Sequence, residues 1–176
     1  MSGRISVFPV DLSNNDRAQA LFGAALELLT RREHSRLELR QKLADKFPGA
    51  DFDTLFERLQ ELNYQSDRRF AEVFVRSRVQ RGQGPLRIRR ELQQRGIGSD
   101  LIAAALEQAQ ADWFALAAEQ LQRKFRSPVS SALPREQQIK ERARRSRYLA
   151  YRGFPVDAIH WALDAEDSDL YSDPDL

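Results

Sequence analysis

Apolar residues recur along most of the chain at the three-to-four-residue spacing of amphipathic helices. The first three groups comprise Ala18, Leu21, Ala25, Leu28 and Leu29, then Leu37, Leu39, Leu43 and Phe47, then Phe52, Leu55, Phe56, Leu59 and Leu62. No segment has the strict apolar–polar alternation or the Asn-Gly turn that would indicate a β-hairpin. The pattern predicts an all-α protein with nine helices.

Capping and turn residues separate the predicted helices. Asn15 or Asp16 is expected to cap the first helix. Ser35, with Glu38 three residues later, predicts a capping box for the second helix. Pro48-Gly49 is expected to end that second helix, since glycine and proline commonly follow helix C-termini.

The next part of the chain contains the same kinds of capping and turn residues. Its predicted N-caps are Ser66 or Asp67 and Ser99 or Asp100, and its predicted buried stripe is Phe70, Val73, Phe74 and Ser77. The helix is expected to break at Gly82-Gln83-Gly84 and to restart with Pro85 at its first position, where proline is well tolerated.

One pattern of glycine and apolar residues occurs twice in the sequence, 57 positions apart and without a gap. Gly96-Ile97 corresponds to Gly153-Phe154 in this alignment. The following shared positions are Leu101, Ile102, Ala105 and Leu106 in one copy, and Ala158, Ile159, Ala162 and Leu163 in the other. In each copy a glycine ends one helix and a short amphipathic helix follows. This duplicated pattern, called the internal echo below, indicates one small helical unit used in tandem.

We therefore expect three tandem three-helix repeats that form an elongated, curved molecule. The predicted boundaries are 1–15 for a flexible leader, 16–64, 65–110 and 111–165 for the three repeats, and 166–176 for an acidic tail. Function is then expected in a surface that the repeats build together, rather than in one catalytic pocket.

Charge is distributed unevenly, although the formal net charge of the 176 residues is only +2. Residues 67–98 carry nine basic and three acidic side chains, and residues 135–152 carry seven and two. Residues 164–176 carry six acidic side chains and no basic one. All nine bases of the first block are arginine, which binds phosphate or carboxylate through forked hydrogen bonds. The two blocks predict binding of a polyanionic or acidic partner.

The predicted contact residues for this partner lie in the two basic blocks. They are Arg76, Arg78, Arg81, Arg87, Arg89, Arg90, Arg95, Lys140, Arg144 and Arg147. On its predicted helix, Arg87 shares a face with Arg90, Glu91 and Gln94, opposite Ile88 and Leu92. Glu91 is expected to compensate part of the charge of Arg87 from one turn away. The helix start flanked by Arg81 and Arg87 is a candidate position for one backbone phosphate.

Composition argues against an enzyme, a metal centre or a bound cofactor. The chain has no cysteine, and its two histidines, His34 and His160, lie in different predicted repeats. His34 is expected to be solvated at a helix end, and the acidic run from Asp164 is expected to be a disordered tail. Gly82-Gln83-Gly84-Pro85 lacks the lysine and hydroxyl residue of a phosphate loop, so we interpret it as a tight turn between helices.

The sequence also predicts a soluble protein of the cytoplasm. No apolar run approaches the roughly 20 residues that span a bilayer. Pro9 and Asp11 interrupt the apolar region that a signal peptide would need. The absence of cysteine is compatible with a reducing compartment.

Trp161 is the odd residue of the internal echo, since Ala104 takes its place in the other copy. We expect the ring to pack under the irregular link 127–134. An exposed anchor for a partner is the alternative.

The second unit resembles a known family over a long ordered string. The string reads Asp67-Arg-Arg-Phe70-Ala71-Glu-Val-Phe74-Val75-Arg-Ser-Arg78, then Gly82-Gln-Gly84-Pro85-Leu-Arg-Ile88-Arg89-Arg-Glu91-Leu92-Gln-Gln-Arg95-Gly96-Ile97. It is similar to the signature of the RecX regulatory proteins. The other two units fit this family more loosely, so that the resemblance covers roughly residues 18–163. The chain departs from the family pattern at Gln65-Ser66 and in its acidic end.

The resemblance implies a bacterial, non-enzymatic modulator of the RecA recombinase that acts in recombination, DNA repair and the SOS response. Proteins of this family bind along the groove of the RecA–DNA filament and typically suppress its ATP hydrolysis, co-protease activity and strand exchange, although some relatives activate. They also bind single- and double-stranded DNA weakly. Accordingly, we expect an inhibitor of RecA that works as a monomer and contacts the filament through the basic residues named above.

Two other functions fit parts of the sequence. A sequence-specific helix-turn-helix transcription factor would also contain three-helix units with basic helices, but a recognition helix usually mixes Asn, Gln, Ser and Arg to read base edges. An enzyme that acts on nucleic acid would need a group of metal-binding carboxylates, and neither basic block contains one.

Overall fold

The computed structural model describes residues 14–127 and 129–169. These residues form nine helices and no strand, which confirms the predicted fold class. The helices are α1 Asn14–Arg31, α2 Arg36–Leu43, α3 Phe52–Glu61, α4 Asp67–Gln80, α5 Pro85–Gln93, α6 Ser99–Gln108, α7 Trp113–Phe125, α8 Arg135–Arg152 and α9 Val156–Asp169. The chain forms two compact units, with the boundary between Asp67 and Arg68.

The first unit contains α1, α2 and α3 around a core of its own. Its buried apolar residues are Leu21, Ala25, Leu39, Leu43, Phe52, Leu55, Phe56 and Leu59. Ser35 Oγ accepts a hydrogen bond from Glu38 N at 3.1 Å, as the predicted cap of α2 requires. The carboxylate of Glu38 pairs with Arg32 Nη1 at 2.9 Å.

Three helix ends differ from the sequence prediction. The observed positions are Asn14 for the start of α1, Leu43 rather than Pro48-Gly49 for the end of α2, and Gly98 rather than Ser99 or Asp100 for the N-cap of α6. Helix α2 ends early because the chain turns and brings Phe47 back against the core. Gly98 adopts the extended N-cap conformation, and as a glycine it has no side chain to cap the helix. Residues 1–13 of the predicted leader lie outside the described residues.

The second unit contains α4 to α9, with one core cluster for α4–α6 and another for α7–α9. In α4 the buried face consists of Phe70, Ala71 and Val75, with Phe74 beside it. Val73, which was predicted to be buried, is 40% exposed. Phe70 with Phe74 and Ala71 with Val75 are each spaced by four residues, so the four side chains lie on one continuous face of α4. Position 73 lies on the other side of the helix and faces solvent.

The internal echo corresponds to the same local structure in both copies. Gly96 and Gly153 have φ angles of 76° and 91°, in the left-handed region that favours glycine after a helix. Ile97 and Phe154, the residues that follow them, are both buried in the core. The repeated glycine therefore marks a helix end, and the apolar residue after it anchors the chain to its own repeat.

Backbone hydrogen bonds join α5 to α8. Gly84 N donates to the oxygen of Arg152 at 2.8 Å, and Leu86 N donates to the oxygen of Gly153 at 3.0 Å. Amides at the start of α5, which have no hydrogen-bond acceptor within their own helix, thus donate to carbonyls at the end of α8. This arrangement pairs the positive end of one helix dipole with the negative end of the other. The Gly82-Gln83-Gly84 segment is the predicted interhelical turn, and it also forms this junction.

Candidate nucleic-acid interface

The seven predicted contact arginines of the second repeat form two groups, and the first group surrounds Glu91. The Nε atoms of Arg78 and Arg87 each lie 2.9 Å from a carboxylate oxygen of Glu91. Nη1 of Arg95 donates to the backbone oxygen of Glu91 at 2.6 Å. The predicted pairing of Arg87 with Glu91 is confirmed, and Arg78 uses the same carboxylate to connect α4 with α5.

The environment of Glu91 favours its charged form. Partial burial alone would raise its pKa, but the hydrogen bond from Arg87 and the charge of Arg78 outweigh this effect, so the pKa is lowered. The same hydrogen bond raises the pKa of Arg87. The guanidinium carbons of Arg78 and Arg95 lie 4.3 and 4.7 Å from the ring centre of Phe74. Replacing these arginines would therefore disturb packing as well as surface charge.

The second group points outward and consists of Arg76, Arg81, Arg89 and Arg90. At about 100° per residue, Arg90 lies opposite the buried Ile88 of α5. Arg89 lies on the flank of the helix and is also exposed. Within the part of the chain that the structure describes, none of these four side chains has an acidic partner. Their guanidinium groups are available to a phosphate or carboxylate ligand.

The start of α5 does not provide the phosphate position expected from the sequence. The amides of Gly84 and Leu86 already donate to carbonyl oxygens of Arg152 and Gly153. The expectation is wrong because these donors are satisfied by a helix end about 70 positions later in the chain.

Helix α8 presents a basic stripe made of Lys140, Arg144 and Arg147, all exposed and spaced by four and three residues. Lys140 pairs with Glu136 at 2.7 Å, and Arg144 lies 3.4 Å from Glu141. Such exposed ion pairs contribute at most about 1 kcal/mol. A phosphate approaching the stripe can therefore displace them at small cost.

A cleft of about 300 Å³ contains three basic residues that were not among the predicted contacts. They are Arg123 and Lys124 at the end of α7 and Arg152 at the end of α8, and Arg81 lies beside them. The guanidinium of Arg152 donates to the backbone oxygens of Arg81 and Gly82. Only a local signal could have identified them beforehand, namely the two basic residues in the last turn of α7. Their proximity to Arg81 comes from helix packing.

The acidic run begins inside α9 rather than in a disordered tail. Arg142 Nη2 lies 2.5 Å from Asp164 Oδ1, and Arg145 Nε lies 3.1 Å from Glu166 Oε2. The first acids of the run thus neutralise part of the basic block of α8, and the prediction of disorder is wrong for them. Residues 170–176 of the predicted tail lie outside the described residues.

His34 is buried, with 3% of its surface exposed, so the prediction of a solvated histidine is wrong. Nδ1 of its ring lies 3.0 Å from the oxygen of Arg32, and its own backbone oxygen accepts a hydrogen bond from Gln65 at 3.3 Å. Burial, with the nearby charge of Arg32, lowers the pKa of His34. The ring is a packing element of the first unit.

Acidification is expected to destabilise the first unit through His34. Since the folded pKa is lowered, the unfolded chain binds the proton more tightly, and this contribution to stability is complete only above about pH 6.5. It is lost as pH falls through the lowered folded value. Urea unfolding between pH 8 and pH 5 should show a weaker pH dependence for His34→Gln than for the wild type. The control His160→Gln changes an exposed residue and should keep the wild-type dependence; identical slopes for all three proteins would contradict the assignment.

Trp161 lies against the N-terminal turn of α7, the end opposite the 127–134 link. Its ring packs edge-to-face on Phe114, with 6.0 Å between ring centres, and 47% of the residue remains exposed. The prediction that it packs under the link is therefore wrong.

Other types of site find no support in the described ranges. No group of three or more His, Asp or Glu side chains there is arranged to hold a metal ion. Likewise, none of the helices described is long and apolar enough to cross a membrane.

Comparison with known proteins accounts for all three helical repeats. The first, second and third three-helix domains of RecX match residues 22–59, 66–106 and 110–163, respectively. The chain is 44% identical over 154 residues to regulatory protein RecX of Halorhodospira halophila, covering 86% of this chain and 91% of the relative. It is 40% identical over 159 residues to regulatory protein RecX of Pseudomonas putida strain GB-1, covering 89% and 97%.

Two crystal structures have a fold similar to that of this chain. RecX from Lactobacillus salivarius aligns with a TM-score of 0.69 at 21% identity, covering 88% of this chain and 99% of that one. A second crystal structure of a regulatory protein RecX aligns with a TM-score of 0.69 at 22% identity, covering 86% and 75%. At these identities the structures support the fold alone. The three matched domains and the similar sequences show that the chain belongs to the RecX family of regulatory proteins.

Proposed function

We propose that this protein regulates RecA by binding the RecA–DNA filament, and that it inhibits ATP hydrolysis, co-protease activity and strand exchange without catalysing a reaction. The observation that carries the proposal is the outward group of arginines on the repeat that matches the second RecX domain. The protein acts in the cytoplasm as a monomer and binds single- and double-stranded DNA weakly by itself.

Arginine suits both components of such a filament. Its guanidinium forms forked, charge-assisted hydrogen bonds with phosphate oxygens of DNA and with carboxylates on a protein surface. A protein that binds one state of the filament more tightly than the others shifts the population towards that state. Occupation of the groove across neighbouring RecA subunits thereby opposes the movements that each round of ATP hydrolysis requires.

Titration of the protein into RecA on single-stranded DNA tests this function. The ATP hydrolysis rate is expected to fall at substoichiometric ratios of protein to RecA. An unchanged rate together with an unchanged filament lifetime would refute the proposal. Duplexes of unrelated sequence are expected to bind with equal affinity, whereas a helix-turn-helix transcription factor would prefer one of them.

A charge-removal variant identifies the contact surface. Arg76, Arg89 and Arg90 are replaced together by glutamine, because their side chains are exposed and lack acidic partners among the described residues. If each contacts one phosphate of single-stranded DNA, the slope of log affinity against log salt becomes shallower by about 2. Helical content measured by circular dichroism should stay unchanged.

The matched control removes three exposed charges from the first unit, at Arg17, Arg31 and Lys42. Net charge changes equally in both variants, so a general electrostatic effect would shift the two slopes alike. The surface assignment predicts a large change only for the Arg76, Arg89 and Arg90 variant. Equal slopes for the two variants would contradict it.

A further inference from the structure

The basic stripe of α8 ends on an exposed aromatic ring. Tyr151 follows Arg147 by four residues and therefore continues the line formed by Lys140, Arg144 and Arg147. Tyr151 is 77% exposed, more than any other large apolar side chain in the described residues. Its ring lies outside the core cluster of α7–α9, so the fold does not depend on it.

A guanidinium from α5 lies over this ring. The central carbon of the Arg87 guanidinium is 5.3 Å from the ring centre of Tyr151. Arg87 is itself held by the hydrogen bond between its Nε and Glu91. The backbone bonds that join Gly84 to Arg152 keep the two helix ends together. The ring thus contacts Arg87, while 77% of the surface of Tyr151 remains exposed to solvent.

Three cations in line with an open aromatic ring suit single-stranded nucleic acid. Basic side chains follow the phosphates, while an aromatic face stacks with an unpaired base of any type. From Lys140 to Tyr151 the stripe measures about 16 Å at 1.5 Å per helical residue. At the 3.4 Å spacing of stacked nucleotides, this length corresponds to about five nucleotides.

We propose that Tyr151 is a stacking platform for one unpaired base of single-stranded DNA, whose phosphates follow Arg144 and Arg147 along α8. The proposal rests on the DNA binding proposed above and adds that the protein senses bases as well as phosphates. Duplex DNA keeps its bases paired and stacked internally, so the platform favours single strands. Arg87 supports the ring from the second repeat.

Binding of two oligonucleotides with the same phosphates tests the platform. One is a 5′-labelled oligo-dT, and the other has the same length but abasic sites in place of the thymines. At equal salt, the wild type is expected to bind oligo-dT at least about fivefold more tightly, the lower limit for stacking of one base. Tyr151→Leu should lose this preference, and Tyr151→Phe should keep it because the aromatic face remains.

The controls separate stacking from general effects. Ile139→Ala removes another exposed apolar side chain from α8 and should keep the preference for oligo-dT. Equal wild-type affinity for both oligonucleotides overturns the stacking proposal while leaving phosphate binding intact. Wild-type protein that binds neither oligonucleotide overturns both stacking and the proposed DNA binding. A Tyr151→Leu protein that keeps the oligo-dT preference but binds RecA more weakly would assign the ring to a protein contact and overturn the platform.

Discussion

Gly84→Ala is expected to destabilise the unit formed by α4 to α9 by about 3 kcal/mol or more. A Cβ at this position would lie 2.3 Å from the carbonyl carbon and oxygen of Gly153 and 2.5 Å from Phe154 N. All of these are backbone atoms, so no side-chain rotation can relieve the overlap. The start of α5 must move away from the end of α8, which breaks the hydrogen bonds donated by Gly84 and Leu86.

Urea unfolding and amide hydrogen exchange measure this effect. The variant should unfold at lower urea concentration, and the amides of residues 84 and 86 should exchange faster. Gly98→Ala is the control within the same unit, because a Cβ there meets no atom within 4 Å. A Gly84→Ala protein within about 1 kcal/mol of the wild type, with both amides still protected, would contradict the close packing of this junction.

Gly84→Ala also has an expected consequence for DNA binding. Separation of α5 from α8 moves Arg87 away from Tyr151, although neither residue is changed. If Tyr151 stacks with a base only when supported in this way, the variant should show a reduced preference for oligo-dT over the abasic oligonucleotide. The exposed phosphate contacts remain, so affinity for the abasic strand should change little.

Arg145→Met is expected to lower the free energy of unfolding by about 3 kcal/mol. Arg145 is only 5% exposed, although it lies in a strongly basic helix. Its guanidinium lies 3.0 Å from Glu141 and 3.1 Å from Glu166, and it donates to the backbone oxygen of Ser127 at 2.7 Å. Methionine fills similar space but cannot donate the hydrogen bonds that Arg145 makes to Glu166 and to the backbone oxygen of Ser127. The side chain of Glu166 is only 10% exposed, so water compensates it poorly.

Arg142→Met is the matched control for this change. Arg142 also pairs with an acid of α9, Asp164, but its side chain is 39% exposed and that of Asp164 is 69% exposed. Loss of such an exposed pair should cost less than about 1 kcal/mol. Thermal or urea unfolding of both variants gives the comparison. Equal destabilisation by the two substitutions would show that burial does not distinguish Arg145 from its neighbours.

Much of the local structure could be predicted from the sequence because short-range geometry controls it. Helical spacing of apolar residues predicted the fold class, and Gly96 and Gly153 marked helix ends, since a left-handed residue there strongly favours glycine. Ser35 was correctly identified as the cap of α2. The family signature in the second repeat was readable for the same reason, as a fixed order of residues along the chain.

The roles of the charged and polar residues were decided by packing between helices. The sequence predicted that Arg87 pairs with Glu91, but it did not predict that Arg87 also contacts Tyr151. It did not show either that Arg90 is exposed without an acidic partner among the described residues. His34 was expected to be solvated, and Arg145 lies in a strongly basic helix, yet both residues are buried. The spacing of residues along a helix determines which face a side chain occupies, but its partners come from segments distant in sequence. Only the tertiary structure therefore distinguishes arginines that hold the repeats together from arginines that remain available to DNA.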